Sequence, residues 1–294
     1  AIQLRPDYAE AYVDRGVTKL DMGLFDQAVA DETKAIQLRP DYMQAYNNRG
    51  NAYSRKGLFD EAIADYDQAV KLSPKDAPTL SNRGHAYNQK GQFDRAIADL
   101  DQAIKFNPNF AGAFYNRGNS YGGKGEYGRA IEDYDQAIKL NPNYAEALIK
   151  RGLTYENERL YDRAIEDLDQ AIKLNPNNDE ALVWRGNAYE EKHQYDRAME
   201  DLDQAIKVNP HSPMAFYIRG NLYGVKRDYD RAIEDYDQAI ILQPNYAVAF
   251  RNRGFTHEQK GEKGEAIADY QKALSIKPNM KEAQDGLNRL SAAR

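Results

Sequence analysis

The sequence predicts an all-α solenoid of eight 34-residue helical hairpins closed by a C-terminal capping helix. Proline stands at 6, 40, 74, 108, 142, 176, 210, 244 and 278, each 34 residues after the last. Between successive prolines one text returns, roughly A-Y-x-x-R-G-x-x-Y and then D-x-A-I-x-D-Y-D-Q-A-I-x-L-x-P. A fixed period of this size marks a stacked array, because a unit so short cannot bury its own apolar face.

The units run 9–42, 43–76, 77–110, 111–144, 145–178, 179–212, 213–246 and 247–280. In the second, Ala45, Tyr46, Arg49, Gly50 and Tyr53 share the spacing of one helix face, and Ala62, Tyr66 and Ala69 repeat it on a second helix. Gly57 and Leu58 mark the turn between them. The residue–proline pair near each unit's end, most often Asn-Pro, stops the second helix, since the residue before proline is pushed out of the α region. Residues 281–294 read as an amphipathic cap with Ala283, Leu287 and Leu290 inward. Residues 1–8 match the end of a unit, so a truncated upstream repeat is expected there.

This pattern resembles the tetratricopeptide repeat family along the whole chain. In the second unit the family's positions hold Tyr46, Arg49-Gly50, Tyr53, Ala62, Tyr66, Ala69 and Pro74. The resemblance implies a right-handed superhelix with first helices lining a concave groove that binds other protein chains. The chain departs from the family in one column. Where leucine is usual it carries Arg15, Arg49, Arg83, Arg117, Arg151, Arg185, Arg219 and Arg253, matched on the second helices by Asp31, Asp65, Asp99, Asp133, Asp167, Asp201, Asp235 and Asp269. A core-facing charge must be paired or must reach water, so a ladder of Arg–Asp pairs is expected. The mid-helix glycines, Gly16 through Gly254, imply close helix approach, with alanines expected opposite.

Composition excludes several functions. A net charge of −6 argues against non-specific nucleic-acid binding. No apolar run reaches the ~20 residues that span a bilayer. Zero cysteines exclude disulfides and thiolate metal sites. The compartment is left open, with the cytoplasm as default. Gly123 to Gly128 matches G-x-G-x-x-G, but a helix rather than a strand precedes it, so a turn is expected. Asp-x-Asp pairs such as Asp65/Asp67 point opposite ways on a helix and hold no shared ion. The four histidines show no ligand spacing. No catalytic residue, cofactor or metal site is predicted.

One stripe of each first helix varies, and the candidate peptide-binding groove is read there. It comprises Asn47, Asn48, Asn51, Asn82, His85, Tyr115, Asn116 and Asn119 in units 2 to 4. Units 5 to 8 add Lys150, Trp184, Asn187, Tyr217, Asn221, Arg251 and Asn252, with Ile149, Leu153, Ile218 and Phe255 in the same stripe. An asparagine amide both donates and accepts, which suits the main chain of an extended peptide. Asn48, Asn82 and Asn116 are similar to the asparagine ladder in the repeat domain of O-GlcNAc transferases. Glu146, Glu156, Glu180, Glu190 and Glu191 make units 5 and 6 acidic, favouring a partner with basic residues there. The carboxylate clamp of some family members is not expected, because Asn47 stands in place of its lysine and Gly112 and Asn116 in place of its basic pair.

The sequence therefore predicts a non-catalytic scaffold for a protein or extended peptide. The targeting arm of a larger enzyme and a solenoid that self-associates through its N-terminal end are the alternatives. Lys19 and Glu32, private to the first unit, predict a partly solvated ion pair in a loosened repeat.

Overall fold

The structure is a computed structural model that describes Arg5 and residues 7–292. The expected upstream repeat end at 1–8 falls largely outside the described residues, as do the last two positions of the cap. Seventeen helices follow in chain order among the described residues. They are α1 (Ala9–Asp21), α2 (Phe25–Leu38), α3 (Met43–Arg55), α4 (Phe59–Leu72), α5 (Ala77–Gln89), α6 (Phe93–Phe106), α7 (Ala111–Gly123) and α8 (Tyr127–Leu140). After these come α9 (Ala145–Asn157), α10 (Tyr161–Leu174), α11 (Asp179–Glu191), α12 (Tyr195–Val208), α13 (Pro213–Val225), α14 (Tyr229–Leu242), α15 (Ala247–Lys260), α16 (Lys263–Ile276) and α17 (Lys281–Ala292). The architecture is all-helical, eight consecutive helix pairs and a terminal helix.

The helix ends follow from local chemistry. Ser73, Asn107 and Asn141, each before a proline, end their helices outside the α region at φ −138°, −136° and −136°. Between the helices of a pair, Gly57 takes φ +75° and Leu58 N–H closes onto the Tyr53 carbonyl at 3.0 Å. Gly123 to Gly128 is such a turn, with Gly125 at φ +77°.

The chain divides into two compact units, one running to Thr154 and the other starting at Tyr155. In the first, small clusters sit between neighbouring helices, such as Ala62, Tyr66 and Ala86, or Leu80, Ala96, Leu100 and Ala103. In the second, Leu182, Ala198, Leu202 and Leu222 form one layer. Another joins Phe250, Tyr270 and Ala273 to Ala283 of the cap. Such layers stabilise only their neighbours, as expected for a linear array.

The glycines have a different partner from the alanines expected. A Cβ on Gly50 would lie 2.6 Å from the Tyr66 ring, on Gly118 2.7 Å from Tyr134, and on Gly84 2.8 Å from Leu100. A large side chain sixteen residues on packs against each of these three glycines, and this contact offsets the roughly 1 kcal/mol propensity penalty of a mid-helix glycine.

The Arg–Asp ladder forms. Arg117 donates from Nε and Nη2 to Asp133 of its own repeat at 2.8 and 2.7 Å, and from Nη1 to Asp101 of the preceding repeat at 2.6 Å. Arg83, Arg185, Arg219 and Arg253 repeat both contacts. The two aspartates of each D-x-D thus serve successive arginines. In the first repeat Thr33 replaces the second aspartate, and Arg49 donates to its hydroxyl at 3.0 Å. The hydrogen bond donated to Asp133 leads the causes that hold the Arg117 guanidinium above its ordinary value. An exposed set of Lys–Asp pairs, including Lys56–Asp26 at 2.5 Å and Lys124–Asp94 at 2.8 Å, also joins successive repeats.

The expected Lys19–Glu32 pair is not formed. Lys19 Nζ reaches Asp31 at 2.7 Å, while Glu32 is fully buried behind Gly16 and, among the described residues, accepts only from Asn48. Lys19 joins Arg15 on the largely buried Asp31, whose side chain is 6% exposed.

Candidate functional site

In the first unit three successive first helices and α4 enclose a cleft of about 660 Å³. Helix α1 supplies Val17, Leu20 and Asp21; α3 supplies Asn48, Asn51, Ser54 and Arg55; α5 supplies Asn82, His85 and Gln89. Phe59 and Tyr66 of α4 complete the lining. These residues meet because positions 34 apart occupy the same place on consecutive helices. The size lies within the ~300–1,000 Å³ usual for ligand sites.

A polar network fixes the walls. Tyr66 donates its hydroxyl hydrogen to Asn51 Oδ1 at 2.7 Å, and Asn82 Nδ2 donates to the same oxygen at 3.0 Å and to Asn47 Oδ1 at 3.1 Å. Asn48 Nδ2 donates to Glu32 Oε1 at 3.3 Å. Asn116 Nδ2 donates to Ser81 Oγ at 3.2 Å. The asparagine donors are therefore directed at the preceding repeat. No hydrogen bond engages Oδ1 of Asn48 or Asn82, or Nδ2 of Asn51, among the described residues. Burial holds His85 below its ordinary value, so a neutral imidazole lines the cleft near pH 7.

Of the residues read from sequence, Asn48, Asn51, Asn82 and His85 come together in this cleft. Asn47 lies behind it as an acceptor. On α7, Tyr115 stacks against Tyr144 with centroids 5.0 Å apart, and Asn119 accepts from the Tyr134 hydroxyl at 2.8 Å. Lys150 is partly buried on α9. In the second unit Trp184 and Asn187 lie partly buried on α11, Tyr217 and Asn221 on α13, and Arg251 and Asn252 on α15. Asn252 Nδ2 donates to Tyr217 Oη at 3.1 Å and to Asn221 Oδ1 at 2.8 Å. Two stripe members are corrected. Ile149 and Ile218, 2% and 1% exposed, belong to the packed layers, because an aliphatic side chain at that position turns toward the neighbouring helix. Sequence reasoning missed Val17 and Asp21, although they stand 34 residues before Asn51 and Arg55 of the stripe, and it missed Leu20 and the contribution of α4 entirely.

Three carboxyls near the first-helix face are perturbed. Burial raises Glu32 and Glu156 to about 8 and Glu190 to about 7. Among the described residues no group of three or more side chains is placed to hold a metal ion, and no helix is long and apolar enough to cross a membrane.

Profiles of the tetratricopeptide repeat match nearly the whole chain, at 9–42, 44–76, 65–98, 111–144, 149–213, 184–247 and 220–289, with a TPR repeat profile at 84–125. The chain is a tetratricopeptide repeat protein. Such repeat proteins are generally non-catalytic scaffolds for protein–protein interaction. Among solved structures, this repeat chain is similar to the APC/C hetero-tetramer Cut9–Hcn1, at 21% identity and TM-score 0.75 over 90% of this chain and 52% of that one. It thus spans about half the length of that relative. A tetratricopeptide repeat protein from Parabacteroides merdae ATCC 43184 matches at 22% identity and TM-score 0.66, over 85% of this chain and 98% of that one. YrrB, a TPR protein with an unusual peptide-binding site, matches at 26% identity and TM-score 0.50, over 64% of this chain and 97% of that one. No curated protein matches the repeat chain.

Proposed function

We propose that the chain is a non-catalytic scaffold that binds an extended peptide, or an extended segment of a larger partner, along its first helices. Its principal seat is the cleft of the first three repeats. The observation that carries this reading is the convergence of Asn48, Asn51, Asn82 and His85 on one cleft, with Val17, Leu20 and Phe59 as apolar contacts. The network behind the cleft holds the amides in place before a ligand arrives, which lowers the ordering cost of binding. The likeness to YrrB, described as peptide-binding, supports the same reading.

The alternating donors and acceptors of a peptide main chain fit Asn Oδ1 and Nδ2 groups repeated from helix to helix. Side-chain selectivity then comes from the apolar contacts and from Asp21 and Arg55 at the rim. In the second unit, Glu191, exposed on α11, favours a basic residue in the partner.

The test is selection of 12-residue peptides from a random display library on the full chain, followed by affinity measurement on Asn48, Asn82 and Asn116 replaced together by alanine. Each lost hydrogen bond is worth about 1 kcal/mol, so affinity should fall at least ~10-fold. Unchanged affinity contradicts the reading.

A further inference from the structure

Glycine takes the positive-φ position of the inter-helix turn in five repeats, at Gly23, Gly57, Gly91, Gly125 and Gly261. In repeats five to seven that position holds Arg159, His193 and Arg227, at φ 58°, 58° and 59°. A side chain there strains a left-handed backbone that glycine adopts freely. Three successive repeats carry the strain, and each time the residue bears a guanidinium or an imidazole. Strain kept where the rest of the array avoids it needs a compensating gain from the side chain. All three residues are exposed, and Arg159 and Arg227 form no ion pair or hydrogen bond with a described residue.

The middle turn of the three encloses a cavity. His193, Tyr195, Arg197 and Lys226 line about 470 Å³ together with Gln194 and Asp196. The equivalent cavity of the third repeat has Gly91 and Phe93 where this one has His193 and Tyr195. The sixth repeat thus adds two polar groups to the same framework. His193 Nδ1 lies 2.9 Å from the Tyr195 hydroxyl. Either partner can donate in that contact, and the imidazole Nε2–H or the phenol O–H is then left for a ligand. Arg197 donates from Nη1 to Gln194 at 3.1 Å, and its guanidinium lies 5.5 Å from the Tyr189 ring centroid, which holds it in place.

Most acids along this edge are already engaged. Lys226 holds Asp196 at 2.9 Å, Lys192 holds Asp162, and Arg231 holds Asp228. Glu191 accepts from the Tyr161 hydroxyl at 3.1 Å. Glu158, exposed beside Arg159, has no such partner, so the row is most basic from His193 to Arg227. The two lysine pairs run from one turn to the next, which puts adjacent turns within reach of a single side chain.

We propose that the turn edge of repeats five to seven is a docking surface for an acidic segment of a partner protein. One carboxylate enters the cavity of His193, Tyr195 and Arg197, and flanking acids meet Arg159 and Arg227. An extended chain advances about 10 Å in three residues, close to the ~8–10 Å between packed helices such as α11 and α13. Acids at every third position therefore match successive turns. The chain's net charge of −6 works against a nucleic acid on the same edge. This surface lies on the turns and not in the first-helix cleft, so it goes beyond the peptide reading and does not depend on it.

The test titrates the full chain with N-acetyl-hexaglutamate amide, whose only carboxylates are on side chains, with hexaglutamine amide and an oligouridine as comparisons. Imidazole ¹H–¹³C signals are read, with H193G to assign His193. The acidic peptide should move the His193 signal saturably and leave that of His211, at the other end of α12, in place. A second chain carries R159G, H193G and R227G together. Glycine is the residue that five other repeats use there, so this variant should melt at or above the parent's temperature. It should bind the acidic peptide at least ~10-fold more weakly, through loss of charge-assisted hydrogen bonds. An unmoved His193 signal, equal binding of hexaglutamine, or unchanged affinity in the glycine variant overturns the proposal. Oligouridine binding tighter than the acidic peptide, and lost in the same variant, overturns it in favour of nucleic acid. The variant leaves Asn48, Asn82 and Asn116 untouched, so peptides selected on the cleft bind it as they bind the parent, and the two readings fail separately.

Discussion

Asn48 on α3 donates to Glu32 on α2 across the seam between the first two repeats, 3.3 Å from Nδ2 to Oε1. One end of that bond is a cleft residue and the other is a carboxyl with no solvent exposure. Around Glu32 lie Asp14 and Asp31, which oppose its ionisation, and Arg49, which favours it, while Lys19 is engaged by Asp31. The first repeat therefore carries a neutral acid where other repeats carry tyrosine or leucine.

A pH dependence follows. Burial raises Glu32 from 4.5 to about 8, so the folded state binds this proton more tightly than the unfolded chain does. The contribution to stability is full below about pH 4.5 and is lost as pH rises toward 8. Glu156, at about 8, and Glu190, at about 7, act in the same direction. The guanidinium midpoint should fall between pH 6 and pH 9, and E32Q should remove part of that fall, on the order of 2–3 kcal/mol. An E32Q chain with the same pH slope as the parent would contradict the assignment.

The two partners of Arg117 should differ sharply. Asp133 is 6% exposed at the side chain and Asp101 48%. Replacing Asp133 by alanine strands a largely buried guanidinium and should cost about 3 kcal/mol, whereas D101A should cost about 0–1 kcal/mol. Equal losses in chemical denaturation would show that the ladder has no preferred rung.

Glycine positions divide by what lies above them. G118A drives a methyl to within 2.7 Å of the Tyr134 ring and should destabilise by about 1–3 kcal/mol despite better helix propensity. G128A, on α8 with nothing within 4 Å of its Cβ, should gain up to about 1 kcal/mol. Thermal midpoints of the two variants moving in the same direction would refute this distinction.

Much of the fold was legible because a 34-residue period repeats the same helix and turn signals, and matching columns of arginine and aspartate announced their pairing. The second rung of the ladder was not legible by reasoning within one helix. Asp65 and Asp67 point apart on α4, and only the stacking of repeats gives each its own arginine. The Lys56–Asp26 contact was hidden for the same reason, although both columns recur every 34 residues. At the cleft the asparagines stood out as a polar stripe. Their direction did not, since it depends on which oxygen the preceding repeat offers, and the floor from Phe59 and Tyr66 comes from a different helix. Glu32 was misread because sequence shows a charge beside a lysine, whereas packing against Gly16 decides that the carboxyl is buried.

The most direct test of the scaffold account is photocross-linking of a selected peptide to the full chain. A benzophenone side chain is placed at Gln89, which lines the cleft on α5, or at Gln68, exposed on α4 and outside the cleft lining. The account predicts efficient, competable cross-linking from position 89 and none above background from position 68. Cross-linking that is equal at both positions, or confined to position 68, would contradict binding in the cleft.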